Sequence, residues 1–229
     1  MGENRQIFPI LSTALVLAIL PTAAKAEAPE HYIGVFGGYE LRSSDSWSSA
    51  PFGGKIGNDD GVIIGAKAGT SIADAKIGQL RAEAEVSYRR NDINSISTSQ
   101  QGRLPAKGKN QAVSLMLNGY LDFDVGESKL VPFVGAGLGL ARVKESYDVD
   151  IVFASILPQN FPNPVQGKGT TVSWQLMAGG ALRLSEKVRL SVEGRYSQVP
   201  SLSISAGGTK FFETRRDSAA LLLGINFNI

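Results

Sequence analysis

The sequence predicts an all-β chain, an eight-stranded antiparallel up-and-down transmembrane β-barrel, on three observations. Apolar and polar residues alternate with a period of two in eight separate segments, and no helical period competes with them. The connections between these segments are short and long in turn. The polar parity of the strands combines glycine and serine with charges of both signs, a composition suited to the inside of a narrow lumen.

The N-terminus sets the compartment. A polar start with Arg5 leads into an apolar run from Ile7 to Leu20, then Pro21, Thr22 and the small-residue pattern Ala24-Lys25-Ala26. That is the three-part layout of a secretory signal peptide, expected to be cleaved after Ala26 so that residues 27–229 form one barrel domain. The run is shorter than the roughly 18 residues of a spanning helix. The chain has no cysteine, so export serves no disulfide framework and no lipid attachment through an N-terminal cysteine. Cleavage removes Arg5, Lys25 and Glu3, taking the formal charge from +2 to +1, which argues against nucleic acid as a partner.

The strands follow in order. Tyr32 to Arg42 places Ile33, Val35, Tyr39 and Leu41 on one face, and Gly61 to Thr70 sets Val62, Ile64, Ala66 and Ala68 opposite Lys67. Gln79 to Arg90 is the clearest: Leu80, Ala82, Ala84, Val86 and Tyr88 alternate with Arg81, Glu83, Glu85, Ser87 and Arg89. Successive side chains of a strand point to opposite faces, whereas a helix would scatter these charges around its circumference. Gln111 to Phe123, Val131 to Val143 and Thr171 to Leu184 continue the pattern, the second with Gly135, Gly137 and Gly139 on its polar parity. Val188 to Gln198 and Ser218 to Ile229 complete the set.

The connections around Ala73 to Lys76, Asp124 to Lys129 and Ser185 to Lys187 are tight. Ser43 to Asp60, Asn91 to Asn110, Lys144 to Thr170 and Val199 to Asp217 are long, and all fall at the other end. Outer-membrane barrels show this asymmetry, with short periplasmic turns and longer extracellular loops. The segment Leu80 to Tyr88 also echoes Val188 to Tyr196, and strands four apart would face each other across a barrel.

A soluble lipocalin-like barrel would turn the apolar parity inward, whereas lipid reverses the arrangement. The polar parity carries Arg81, Glu83, Glu85, Arg89, Arg189, Glu193 and Arg195, a set that can neutralise itself as a lumenal ion-pair network. The strands suit the 9 to 11 or so residues of a tilted membrane strand. Closure satisfies every backbone group in lipid.

Two motifs carry a family resemblance. Val131-Pro132-Phe133-Val134-Gly135-Ala136-Gly137-Leu138-Gly139 is similar to a "PYVGAGxG" strand, and Glu85-Val86-Ser87-Tyr88-Arg89 to the "E-x-x-Y" strand ahead of it. From Tyr32 to Ile229 the chain resembles the OmpA-like and opacity-type outer-membrane β-barrel superfamily, including the Msp4-like surface antigens. The resemblance implies a Gram-negative outer-membrane protein assembled by the barrel-assembly machinery and embedded in outer-membrane lipid and lipopolysaccharide. One departure is the C-terminus, where the family usually ends on an aromatic residue. Here Ile229 is last and Phe227 keeps the parity.

Enzymatic chemistry finds little support. The single histidine, His31, opens the first strand and reads as a solvated surface residue rather than a base. Glu83 and Glu85 share a face but read as lumenal ion-pair partners. With no cysteine and one histidine, no metal site of the usual nitrogen and sulfur type can be assembled, and no cofactor is expected. Gly135 to Gly139 precedes strand rather than helix, and Gly102 to Lys109 has the wrong spacing for a phosphate loop.

Function is therefore expected at the long loops. Trp47 and Phe52 in the first, Arg103, Lys107 and Lys109 in the second, and Ile151, Phe153 and Phe161 in the third are the interaction candidates. The expected role is a surface protein whose loops meet a host or envelope ligand. The alternative is a narrow channel, for which the glycine run of Gly135 to Gly139 could supply an opening. A cell-wall-binding domain is not expected to follow the barrel.

Overall fold

The structure, a computed structural model, describes residues 30–42, 44–49, 52–98, 103–126, 128–149, 165–206 and 209–229. Its strands are β1 (His31–Arg42), β2 (Asp45–Ser49), β3 (Phe52–Ala75), β4 (Gly78–Thr98) and β5 (Arg103–Phe123). They continue as β6 (Leu130–Val149), β7 (Val165–Arg183), β8 (Val188–Ala206) and β9 (Thr209–Asn228). All pairs are antiparallel, and β9 returns to pair with β1. β2 adds no further wall position. It continues the line of β1 between the same two neighbours, setting Trp47 against Gly54 of β3 and Thr214 of β9. The ring therefore has eight wall positions and no edge, so backbone groups facing lipid pair within the sheet.

Register fixes the shape. One row of paired residues runs Ile33, Ala68, Ala84, Leu117, Leu138, Trp174, Gln198 and Asp217. Ser218 pairs with Arg42, so Asp217 aligns with position 43, and the row returns ten residues (43 minus 33) up the first wall. Ten residues of climb around eight strands tilt each strand by about 40° from the barrel axis. Between Val113 and Phe123 the outward residues of β5 then span about 25 Å along that axis, the height of an outer-membrane apolar band.

The two parities of each strand have opposite fates. Leu117, Leu138 and Leu223 are 70%, 64% and 65% exposed, while Glu85, Met116 and Gln175 are each 1% exposed. Apolar groups face outward and charges face inward, the inverse of a soluble barrel. Once the climb is allowed for, the outward Tyr39, Tyr88, Trp174 and Tyr196 come to one level at the long-loop end. They mark a girdle where amphipathic rings sit at the lipid–water boundary.

The tight turns fall where the alternation lapses, at 76–77, around Gly126 and at 184–187. In the second, Gly126 adopts a φ of 68° and its N–H donates to Asp124 Oδ1 at 2.9 Å. Where they are described, the segments expected as long loops are largely strand instead. β4 and β5 stay paired from Asn91–Asn110 up to Ser97–Arg103, and β8 and β9 up to Ala206–Thr209. Above the girdle no lipid demands an apolar parity, so the sequence signal fades while the register carried up from below continues the ladder. The β7–β8 pair is looser. Its pairing stops at Trp174–Gln198 and resumes only at Lys168–Ser205.

Candidate functional site

The lumen holds a network in layers. Nearest the tight turns, Arg81 of β4 meets Asp122 of β5 in a two-pronged pair, Nε to Oδ2 at 2.7 Å and Nη2 to Oδ1 at 2.9 Å. Its guanidinium lies 4.6 Å from the ring centre of Tyr120 and 5.4 Å from that of Tyr32. Glu83 accepts from the hydroxyls of Tyr32 at 2.8 Å and Tyr120 at 3.2 Å, and Lys67 of β3 stands 3.4 Å away. Buried charges need such partners, because an unpaired one is costly away from water.

The next layer spans the lumen. Arg195 of β8 donates to both oxygens of Glu85 on β4, at 2.7 and 2.9 Å, and pairs with Glu193 at 2.8 Å. β4 and β8 are four places apart in the ring, so this pair is a strut across it. Asn118 donates to Glu85 at 3.2 Å and accepts from Gln175 at 2.8 Å, tying in β5 and β7. Above it Arg89 pairs with Glu40 and reaches Ser197, each at 3.1 Å. Highest of all, Arg42 holds Asp45 at 2.9 Å, and Arg216 pairs with Glu145 and approaches Asp45 at 3.8 Å.

Six of the seven predicted network residues thus lie in the lumen's charged layers. Arg189 stands apart, paired with Glu30 at the tight-turn mouth. Sequence reading missed Lys67, Asp122, Glu40, Arg42, Asp45, Glu145 and Arg216 as network members. The signal was available for Glu40, Lys67 and Asp122, which share the polar parity of their strands. The others lie at or beyond the strand ends that the apolar pattern could mark.

The space beside the glycine run is occupied by side chains of β5. A Cβ on Gly135 would lie 2.5 Å from the Tyr120 ring, and one on Gly137 2.0 Å from Asn118 Oδ1. These glycines are the sockets into which side chains of β5 fold. Beside them is a cavity of about 20 Å³ bordered by Arg81, Tyr120 and Phe133, room for about one water.

Of the loop candidates, Lys107 and Lys109 are exposed on β5 and border a groove of about 660 Å³ with Asp92 and Asp148. Arg103 is exposed and donates to Asn94 Oδ1 at 3.0 Å. Trp47 and Phe52 belong to the β2–β3 hairpin, whose last pair is Ser49–Phe52. Ile151, Phe153 and Phe161, like the signal peptide expected over residues 1–26, lie outside the described residues. His31 is exposed, and no group of three or more metal-ligating side chains occurs among the described residues.

A closed eight-walled ring with an apolar outside and a charged inside defines an outer-membrane β-barrel. Residues 11–227 match the model of the outer membrane protein beta-barrel domain, and the chain belongs to that family. The fold is similar to that of Neisserial surface protein A, with a TM-score of 0.51 at 17% identity over 89% of this chain and 100% of that one. It is likewise similar to OprG from Pseudomonas aeruginosa, with a TM-score of 0.51 at 16% identity over 87% and 96%. At such identities the likeness shows the fold alone. No curated protein sequence matches this chain. The protein accordingly sits in the outer membrane of a Gram-negative cell.

Proposed function

We propose that this is a sealed, non-enzymatic surface barrel, exported by a signal peptide cleaved after Ala26, whose tall hairpins engage a host or envelope ligand. One observation carries the reading: the strands run well past the aromatic girdle at one end only, while the lumen beneath them is filled. The β4–β5 ladder alone continues from Asn91–Asn110 to Ser97–Arg103, and it displays Arg103, Lys107 and Lys109 to solvent. A lumen crossed by Arg195–Glu85 has no route for substrate, and the single histidine faces solvent at the opposite end.

The cysteine-free chain makes the test clean. Lys107→Cys is expected to react with a membrane-impermeant maleimide on intact cells, and Asp74→Cys only after lysis. Cells expressing a variant with residues 99–102 replaced by a two-residue turn should lose binding to host cells or matrix while keeping the heat-dependent gel shift of a folded barrel. Labelling in the reverse order, or undiminished binding with every hairpin shortened, contradicts the reading.

A further inference from the structure

The outward face of the barrel is not the same all the way round. On β4 to β7, just above the aromatic girdle, Arg90, Arg142, Lys144 and Lys168 are all exposed on the outward parity. The register places them side by side: Arg90 faces Gln111, Gln111 faces Lys144, and Lys144 faces Lys168, with Arg142 one step below Lys144. Three strand spacings carry this row about 14 Å around the wall. The climb of the rows brings Arg90 and Arg142 nearest the apolar band, with Lys144 and then Lys168 above them.

Lys144 opposite Lys168 is a like-charge cross-strand pair, an arrangement that destabilises a sheet unless something neutralises it. Among the described residues, no acid does so from within the sheet. Arg142 faces Val113 and Thr170, and Arg90 faces Val62 and Gln111. Asp92, two places above Arg90, faces Lys109, and Asp148 faces Lys107. Lys107 and Lys109 of the hairpin therefore have acids opposite them, while the four cations below do not. On the other half of the wall, two acids stand at the level of Arg90 and Arg142. Asp60 there accepts from the Tyr39 hydroxyl at 3.0 Å, and Asp217 from the Tyr196 hydroxyl at 3.1 Å.

We propose that Arg90, Arg142, Lys144 and Lys168 bind the phosphate groups of a phosphorylated glycolipid of the outer leaflet. An apolar band beneath the row takes the acyl chains, through the outward Val86, Leu115, Leu140 and Val172. The row above supplies guanidinium and ammonium donors where a lipid headgroup lies, each attracting anionic lipid. The half bearing Asp60 and Asp217 turns such lipid away, so the bound glycolipid occupies one side of the barrel. The site is independent of whatever the hairpin tips engage.

The test is native mass spectrometry of the folded protein after extraction from vesicles of phosphatidylcholine doped with bisphosphorylated lipid A or its dephosphorylated form. The wild type should retain the phosphorylated lipid about tenfold or more over the dephosphorylated one. Arg90→Gln/Arg142→Gln/Lys144→Gln/Lys168→Gln should abolish that preference while keeping the heat-dependent gel shift. Should that variant not fold, Lys144→Gln/Lys168→Gln, with both changes above the girdle, should weaken retention several-fold. Asp60→Asn/Asp217→Asn should leave it unchanged or raised. Equal retention of both lipids, retention unaffected by the lysine changes, or release by millimolar inorganic phosphate alone would each overturn the assignment.

Discussion

The two ends of the lumen solve the same electrostatic problem to different degrees. Toward the tight turns, Arg81, Asp122, Glu83, Glu85 and Arg195 lock together with Tyr32, Tyr120 and Asn118. Toward the hairpins, Glu40 Oε2, Arg42 Nε, Arg89 Nε, Asn110 Oδ1, Glu145 Oε2 and two nitrogens of Arg216 are buried without a hydrogen-bond partner, against Gln175 Oε1 and Asn226 Oδ1 toward the tight turns and Ser87 Oγ between. Buried polar atoms almost always find hydrogen bonds, so the hairpin-side layer leaves more for water to satisfy than the turn-side layer does. The difference teaches which layer braces the ring. Densely paired charges hold the walls at fixed spacing, while a layer that leans on water can rearrange at less cost.

Removing a strut from the turn-side layer should have the largest effect. Arg195→Ala leaves Glu85 and Glu193, 1% and 5% exposed, without their cation, and should cost about 3 to 5 kcal/mol of folding free energy. Urea unfolding in vesicles, followed by tryptophan emission, reads it directly. A midpoint equal to wild type would mean that the strut contributes nothing.

Filling a socket comes next. A Cβ on Gly69 would lie 2.3 Å from Tyr32 Oη, so Gly69→Val must push that ring off Glu83, at about 1 to 3 kcal/mol. The temperature at which the folded gel band disappears should fall. If it holds, the ring and its hydroxyl have room to move.

The hairpin-side counterpart should be milder. Arg216→Ala breaks the pair with Glu145, yet part of the guanidinium already lacks a protein partner, so about 1 to 2 kcal/mol is expected. A loss as large as that of Arg195→Ala would erase the distinction between the two ends. Smallest of all, Lys107→Ala should leave stability within about 0.5 kcal/mol, because the side chain stands exposed on the hairpin. A larger shift would show that the hairpin is structurally coupled to the barrel.

The membrane-embedded part of this fold was legible because lipid writes it into the sequence. Leu115, Leu117 and Leu121 alternate with Ser114, Asn118 and Asp122 for the reason that one parity meets acyl chains and the other a charged lumen. The hairpin walls were not legible, since segments such as Ser43 to Asp60 meet water on the outside and carry no alternation. Charge composition on the polar parity pointed to a network, but not to who pairs with whom. Arg189 shares the parity and the echo of Arg81, yet its height on β8 puts it at the mouth with Glu30. Register, which decides such heights, is a property of the closed ring rather than of any one strand. The same holds for Gly135 and Gly137. Glycine in a strand reads equally as a gap or as a socket, and only the neighbouring Tyr120 and Asn118 settle it.

Ion conductance of the purified, folded protein in a planar bilayer tests the sealed lumen most directly. The paired turn-side layer predicts no steady current for the wild type, with openings appearing once Arg195→Ala or Glu85→Ala removes the strut. A stable ohmic conductance in the wild type, unchanged by either substitution, would contradict it.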